Sequence, residues 1–202
     1  MNKNYLEKLL NIKTNGHQTD YNECSHYNKY EPTPYTALET LFKTFNINEN
    51  DKIVDFGCGK GRVSFYANYF YKTRGTGIEM NHHYFDECIK NKESFLTANK
   101  ADDEDINFFN CLAQEYEIQN DDNIFYFFNP FSIQIFMNIL ENIIASLKKC
   151  KRKISIILYY PADEYIFFIE TYTSFILSHE IKLPQYEYDL RERFLIYQFN
   201  YN

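Results

Sequence analysis

The chain has 202 residues, 45% hydrophobic and 24% charged, a composition that describes one globular domain with enough apolar mass for a sizeable core. Its aromatic content of 19%, from 19 Tyr and 19 Phe, excludes low-complexity disorder, and no apolar run approaches the ~20 residues of a membrane span. A formal net charge of −7 argues against a duplex nucleic-acid surface, because phosphate contacts come mainly from Lys and Arg.

Residues 1–49 read as an N-terminal helical cap or lid segment. It has a short helix near Tyr5–Ile12, a polar loop, and a longer helix over Pro34–Phe45. In Tyr30-Glu31-Pro32-Thr33-Pro34-Tyr35 the prolines stiffen the entry to that second helix. Thr33 suits its N-cap and Pro34 its first position. Tyr30 and Tyr35 are candidate lid residues. Met1 to Gly16 has no apolar stretch suited to a secretory signal, so a cytoplasmic location is expected.

From residue 50 to 202 strand-like and helix-like segments alternate. Lys52–Phe56 is short, apolar and β-branched, as a buried parallel strand should be. Arg62–Lys72 reads as a helix and Thr76–Met80 as a second strand. Asn81 is placed to cap a helix over His83–Thr97. The acidic Asp102–Asp105 is a turn before a third strand, Ile106–Asn110. Asn123–Asn129 is a fourth strand, followed by Pro130 and a helix from Ser132 to Lys149. Ile154–Tyr160 is a fifth, closed by Pro161 and a helix over Asp163–Tyr172. Ser174–Leu183 and Arg193–Asn200 read as a terminal antiparallel hairpin. The sum is an α/β, doubly wound, mostly parallel seven-stranded sheet in a single domain.

Glycine is scarce, six in all, yet three sit within five positions, at Gly57, Gly59 and Gly61. Clustering of that kind marks a backbone that needs positions without Cβ. Ligands in such sheets bind beyond the carboxyl ends of the strands. Those ends carry Asp55-Phe56-Gly57-Cys58-Gly59-Lys60-Gly61, Glu79-Met80 and Asn129-Pro130-Phe131-Ser132.

These residues resemble the class I S-adenosylmethionine-dependent methyltransferases, whose first motif, D-x-G-x-G-x-G, is filled by Asp55, Gly57, Gly59 and Gly61. Glu79 matches the family's acid after the second strand. The wider string, including Tyr30–Tyr35 and Phe125–Phe131, resembles a bacterial group known only as methyltransferases. The resemblance implies S-adenosylmethionine as cofactor, held by Asp55, Gly57, Cys58, Gly59, Gly61, Glu79, Met80, Leu112, Ala113 and Asn129. The charges agree. Asp55 would repel a dinucleotide's pyrophosphate but favour the ammonium of a methionine moiety. Glu79 has two acceptor oxygens for ribose hydroxyls.

Asn129-Pro130-Phe131 resembles the (D/N)-P-P-(F/Y/W) motif of methyltransferases acting on planar amino groups, with Phe131 where the second proline would stand. The three are the candidate catalytic residues. Asn129 would accept a hydrogen bond from the target N–H, and Pro130 would aim its carbonyl at the same group. The acceptor is left open between a small molecule, a protein and a single-stranded nucleic acid, with nitrogen favoured. A non-catalytic module of the same fold, binding the cofactor or a partner, is the alternative. His82 and His83 precede Asp86 and Glu87, but solvated helix-start residues explain them and no metal is expected. The five scattered cysteines read as reduced thiols. The basic run Lys148–Lys153 reads as a solvated helix end.

Overall fold

The computed structural model describes residues 3–16 and 30–199. Two helices come first, α1 (Lys3–Leu10) and α2 (Tyr35–Thr44). Then follow β1 (Lys52–Phe56), α3 (Arg62–Tyr71), β2 (Arg74–Ile78), α4 (His82–Asn99), β3 (Ile106–Phe109) and β4 (Ile124–Phe127). The chain closes with α5 (Ile133–Lys149), β5 (Ser155–Tyr159), α6 (Asp163–Tyr172), β6 (Phe175–Lys182) and β7 (Arg193–Phe199). Short 3-10 turns at Asp103–Asp105 and Ala113–Glu115 precede and follow β3.

The seven strands form one sheet in the order β3-β2-β1-β4-β5-β7-β6. β1 to β5 run parallel to one another, and β7 is antiparallel to both β5 and β6. The expected hairpin is therefore present, but its second strand enters the sheet and its first becomes the edge. Strand residues alternate between two cores, as a sheet covered on both faces requires. Ile53, Tyr126, Ile157 and Ile196 join the core under α1, α2 and α3. Val54, Phe125, Phe127 and Leu158 join the one under α5 and α6.

α1 and α2 belong to the first of these cores through Leu6, Leu10, Leu38 and Leu41. Residues of the N-terminal segment thus pack directly on the sheet. The α4 cap is as expected, with Asn81 Oδ1 accepting from the His83 and Tyr84 amides at 2.9 and 3.4 Å. The α2 cap is not. Pro34 holds the N-cap position, while the buried Thr33 hydroxyl pairs with the Tyr126 hydroxyl at 2.8 Å. Arg152, in the basic run, is a structural group. It donates to the carbonyls of Asp122 (2.7 Å) and Cys150 (3.0 Å).

β1 lies between β2 and β4, so the crossovers leave it in opposite directions. The switch point falls at the carboxyl ends of β1 and β4. This is where a crevice is expected in a doubly wound sheet.

Candidate active site

A hollow opens at that switch point, lined by Asp55 near the end of β1, Gly57 and Cys58 after it, Glu79 and Met80 after β2, Ala113 after β3, and Pro130 and Phe131 after β4. Tyr30 to Thr33 close it from the N-terminal side. Most of the residues singled out from the sequence therefore meet in one place. Gly59, Gly61, Leu112, Asn129 and Tyr35 stand outside the lining. Tyr35 is no lid. It is buried in the core, donates its hydroxyl to Glu7 at 2.7 Å, and carries the Arg62 guanidinium 4.3 Å from its ring centre.

The glycine turn has its own packing logic. Gly57, Gly59 and Gly61 have φ of +82°, +54° and +85°, which any Cβ-bearing residue would resist. The space beside each is also taken. A Cβ on Gly57 would meet Pro130 Cβ at 2.8 Å, and one on Gly59 would meet the Tyr30 ring at 2.1 Å. At Gly61 it would meet Cys88, Phe65 and Phe108 within 2.9 Å. The missing side chains thus let the Asn129–Phe131 turn, Tyr30 and α4 close on the loop.

Glu79 ties the second strand end to this loop. Its carboxylate accepts from the Gly59 amide at 2.9 Å and the Asn81 amide at 2.8 Å. Lone-pair capacity remains on the carboxylate for a ligand hydroxyl. Burial pushes its carboxyl up, and the backbone amides oppose the shift. Asp55 is in a harsher position. It is 4% exposed and lines the hollow without a hydrogen-bond partner among the described residues. Burial, and then the neighbouring Glu79 charge, push its carboxyl up to about 8. A buried carboxyl with no donor is costly, and a cationic ligand in the hollow would supply what it lacks. These two acids could hold the ammonium and the sugar hydroxyls of a methionine-derived nucleoside.

The Asn129–Phe131 turn is braced from two sides. Pro130 sits in the space left by Gly57. On the other side the buried Tyr165 of α6 takes the Phe131 amide at 3.2 Å and donates to the Phe131 carbonyl at 2.7 Å. Its ring stacks on Phe136 at 3.7 Å. Asn129 adopts φ +40°, a left-handed conformation that Asn tolerates better than most residues.

Two site groups have no counterpart in the sequence analysis. Tyr84 lines the hollow and packs on Tyr30, with ring centres 4.7 Å apart. Arg62 is 3% exposed and binds Thr14 Oγ1 (2.7 Å), the Thr33 carbonyl (2.9 Å), Asn15 Oδ1 (2.9 Å) and Glu7 (3.3 Å). It latches residues 7–15 and 33 to the glycine turn. A charged first residue on a buried helix was the available signal for it. Cys58 and Cys88 are buried, and burial pushes both thiols up, so neither is a thiolate nucleophile. Among the described residues no cluster could hold a metal ion, and no helix is long and apolar enough to cross a membrane.

No protein-family model and no curated protein matches the sequence. Solved structures do resemble it. An RNA methyltransferase from Salinibacter ruber, in complex with S-adenosyl-L-homocysteine, aligns with a TM-score of 0.60 at 15% identity, over 84% of this chain and 92% of that one. TrmK of M. capricolum, with the cofactor product S-adenosyl-homocysteine, aligns at 0.55 and 15%, over 85% and 70%. YjhP of E. coli aligns at 0.59 and 12%, over 83% and 93%. The chain has the class I methyltransferase fold.

Proposed function

We propose that the protein is an S-adenosylmethionine-dependent methyltransferase whose donor lies in the hollow between Asp55 and Pro130. The observation that carries this reading is Asp55, a buried carboxyl with no partner among the described residues, lining one cavity with Glu79. Asp55 takes the donor's ammonium, Glu79 its ribose hydroxyls, and Met80 and Ala113 flank the adenine. When bound, the donor supplies an electrophilic methyl group on a sulfonium. The protein contributes alignment and exclusion of water. Pro130 and Phe131 form the wall on the acceptor side, and the acceptor atom is nitrogen. The acceptor itself is a small molecule, a protein or a single-stranded nucleic acid.

Titration calorimetry with S-adenosylhomocysteine against NAD tests the donor assignment. The homocysteine product should bind and NAD should not. Asp55→Ala and Glu79→Ala should each weaken binding tenfold or more. Absence of binding, or unchanged affinity in both variants, would sink the reading.

One observation favours a non-catalytic donor-binding module instead. Asn129, the residue expected to orient the acceptor, stands outside the hollow's lining. Incubation with labelled donor and cell extract separates the two, because a module transfers no label to any fraction.

A further inference from the structure

A primary or secondary amine carries N–H, and methylating it to a neutral product requires somewhere for a proton to go. The two acids at the donor end are poor recipients. Glu79 already accepts two amides, and Asp55 is the group assigned to the donor's ammonium. A third carboxylate lines the same hollow. Glu31 comes from the segment that closes the site, between Tyr30 and Pro32. It is solvent-exposed and has no hydrogen-bond or ion-pair partner among the described residues.

Its segment crosses the carboxyl edge of the sheet, because Thr33, two residues on, pairs with Tyr126 of β4 at 2.8 Å. Burial, then Glu192 and more weakly Glu31, push the Tyr159 hydroxyl up at the end of β5, whereas burial and Glu79, at the end of β2, raise Asp55. With the strand order β2-β1-β4-β5, the turn at Pro130–Phe131 lies between the two poles. Around it the wall is aromatic, from Tyr126, Phe128 and Phe131. Arg62, the one Lys or Arg side chain in the lining among the described residues, is committed to Thr14, Asn15, Thr33 and Glu7. Among the described residues the acceptor side of the lining is thus walled by rings and carries one carboxylate, Glu31, with no free cation of the lining beside it.

Resting on the methyltransferase reading, we infer that the acceptor is an amine on an apolar or aromatic body, and that Glu31 is the carboxylate that holds its nitrogen and receives its proton. The nitrogen lone pair forms the N–C bond to the donor methyl, and the C–S bond breaks with its electron pair retained by sulfur. The N–H proton passes to Glu31 and from there to water, to which that side chain is open. The products are the methylated amine, the thioether and a released proton.

The test needs no acceptor. Sinefungin carries an amino-bearing carbon in place of the sulfonium methyl, so its extra ammonium emerges where an acceptor nitrogen would approach. Calorimetry compares sinefungin with S-adenosylhomocysteine on the wild-type protein and on Glu31→Gln, a change at an exposed side chain. Sinefungin should bind the wild type about tenfold more tightly than the thioether. Glu31→Gln should remove that advantage and leave thioether affinity within twofold. If the thioether binds but sinefungin has no advantage, or keeps it in Glu31→Gln, the role of Glu31 is overturned and the donor site stands. If neither ligand binds the wild type, the donor site falls and this inference with it.

Discussion

Asp55→Asn keeps the shape of a buried side chain and removes its charge. In the folded protein burial and Glu79 raise the Asp55 carboxyl from an ordinary 3.8 to about 8. The unfolded chain releases its proton near 3.8, while the folded chain holds it to about 8. Between those limits the native state binds more protons than the unfolded state, so stability falls as pH rises. Each pH unit in the window costs about 1.4 kcal/mol, which sums to about 4 kcal/mol at pH 7. Asn escapes that cost, but its amide needs partners in the same hollow, which returns about 2 kcal/mol. The variant should therefore match the wild type near pH 5 and exceed it by about 2 kcal/mol at pH 7. Urea unfolding of both proteins from pH 5 to pH 8 reads the difference directly. A difference that stays flat with pH would refute the argument, whatever its size. The same variant should lose affinity for S-adenosylhomocysteine, marking Asp55 as a group that costs stability and serves binding.

Ligand binding should also release a proton near pH 7, because an ammonium beside Asp55 favours its ionised form, with Glu79, Cys58, Cys88 and Tyr126 the other titratable groups coupled to it. Calorimetric enthalpies in buffers of different ionisation heat will show a slope if this holds, and affinity should rise with pH toward about 8. Arg62→Ala leaves Glu7 half-buried without its guanidinium and should cost about 3–5 kcal/mol in chemical denaturation. Limited proteolysis of that variant should cut first at residues 11–16 or 30–33, beside the groups Arg62 holds. Tyr165→Phe keeps the stack on Phe136 and deletes both bonds to the Phe131 backbone. It should lower stability by about 1–2 kcal/mol, and amide exchange at Phe131 should accelerate more than exchange in α6.

The sequence was most legible where one short stretch carried its own reason. Gly57, Gly59 and Gly61 announce a turn through their spacing, and all three have positive φ. Asp55 lies near the end of β1 and Glu79 directly follows β2, strands that hydrophobic patterning locates to within two residues, and both line the hollow. What the glycines accommodate was not legible, since Tyr30 and Pro130 reach them from distant positions. Thr33 satisfies every local rule for an N-cap, yet its partner is Tyr126, 93 residues away. Tyr35 looked like a lid for the same reason, because its anchor is Glu7 on another helix. Asn129 was displaced by a smaller effect. β4 stops at Phe127, so the residue that seemed to end the strand lies in a left-handed turn beyond it.

The two ends of the hollow are built by different means. The donor end consists of strand termini and the glycine turn, held by the sheet itself. The acceptor end depends on residues 30–33, a segment outside the sheet that hydrogen bonds fasten in place, one of them between the Thr33 and Tyr126 hydroxyls. The Tyr30 hydroxyl donates to the Thr14 carbonyl at 2.6 Å, and the Thr33 carbonyl accepts from Arg62 at 2.9 Å. Arg62 directly follows Gly61, so the turn that shapes the donor end also anchors the segment carrying Glu31. Donor affinity and acceptor chemistry are therefore mechanically linked but chemically separable. A substitution at Glu31 changes only the charge that meets the acceptor. Loss of Arg62 frees the segment and should disturb both ends at once.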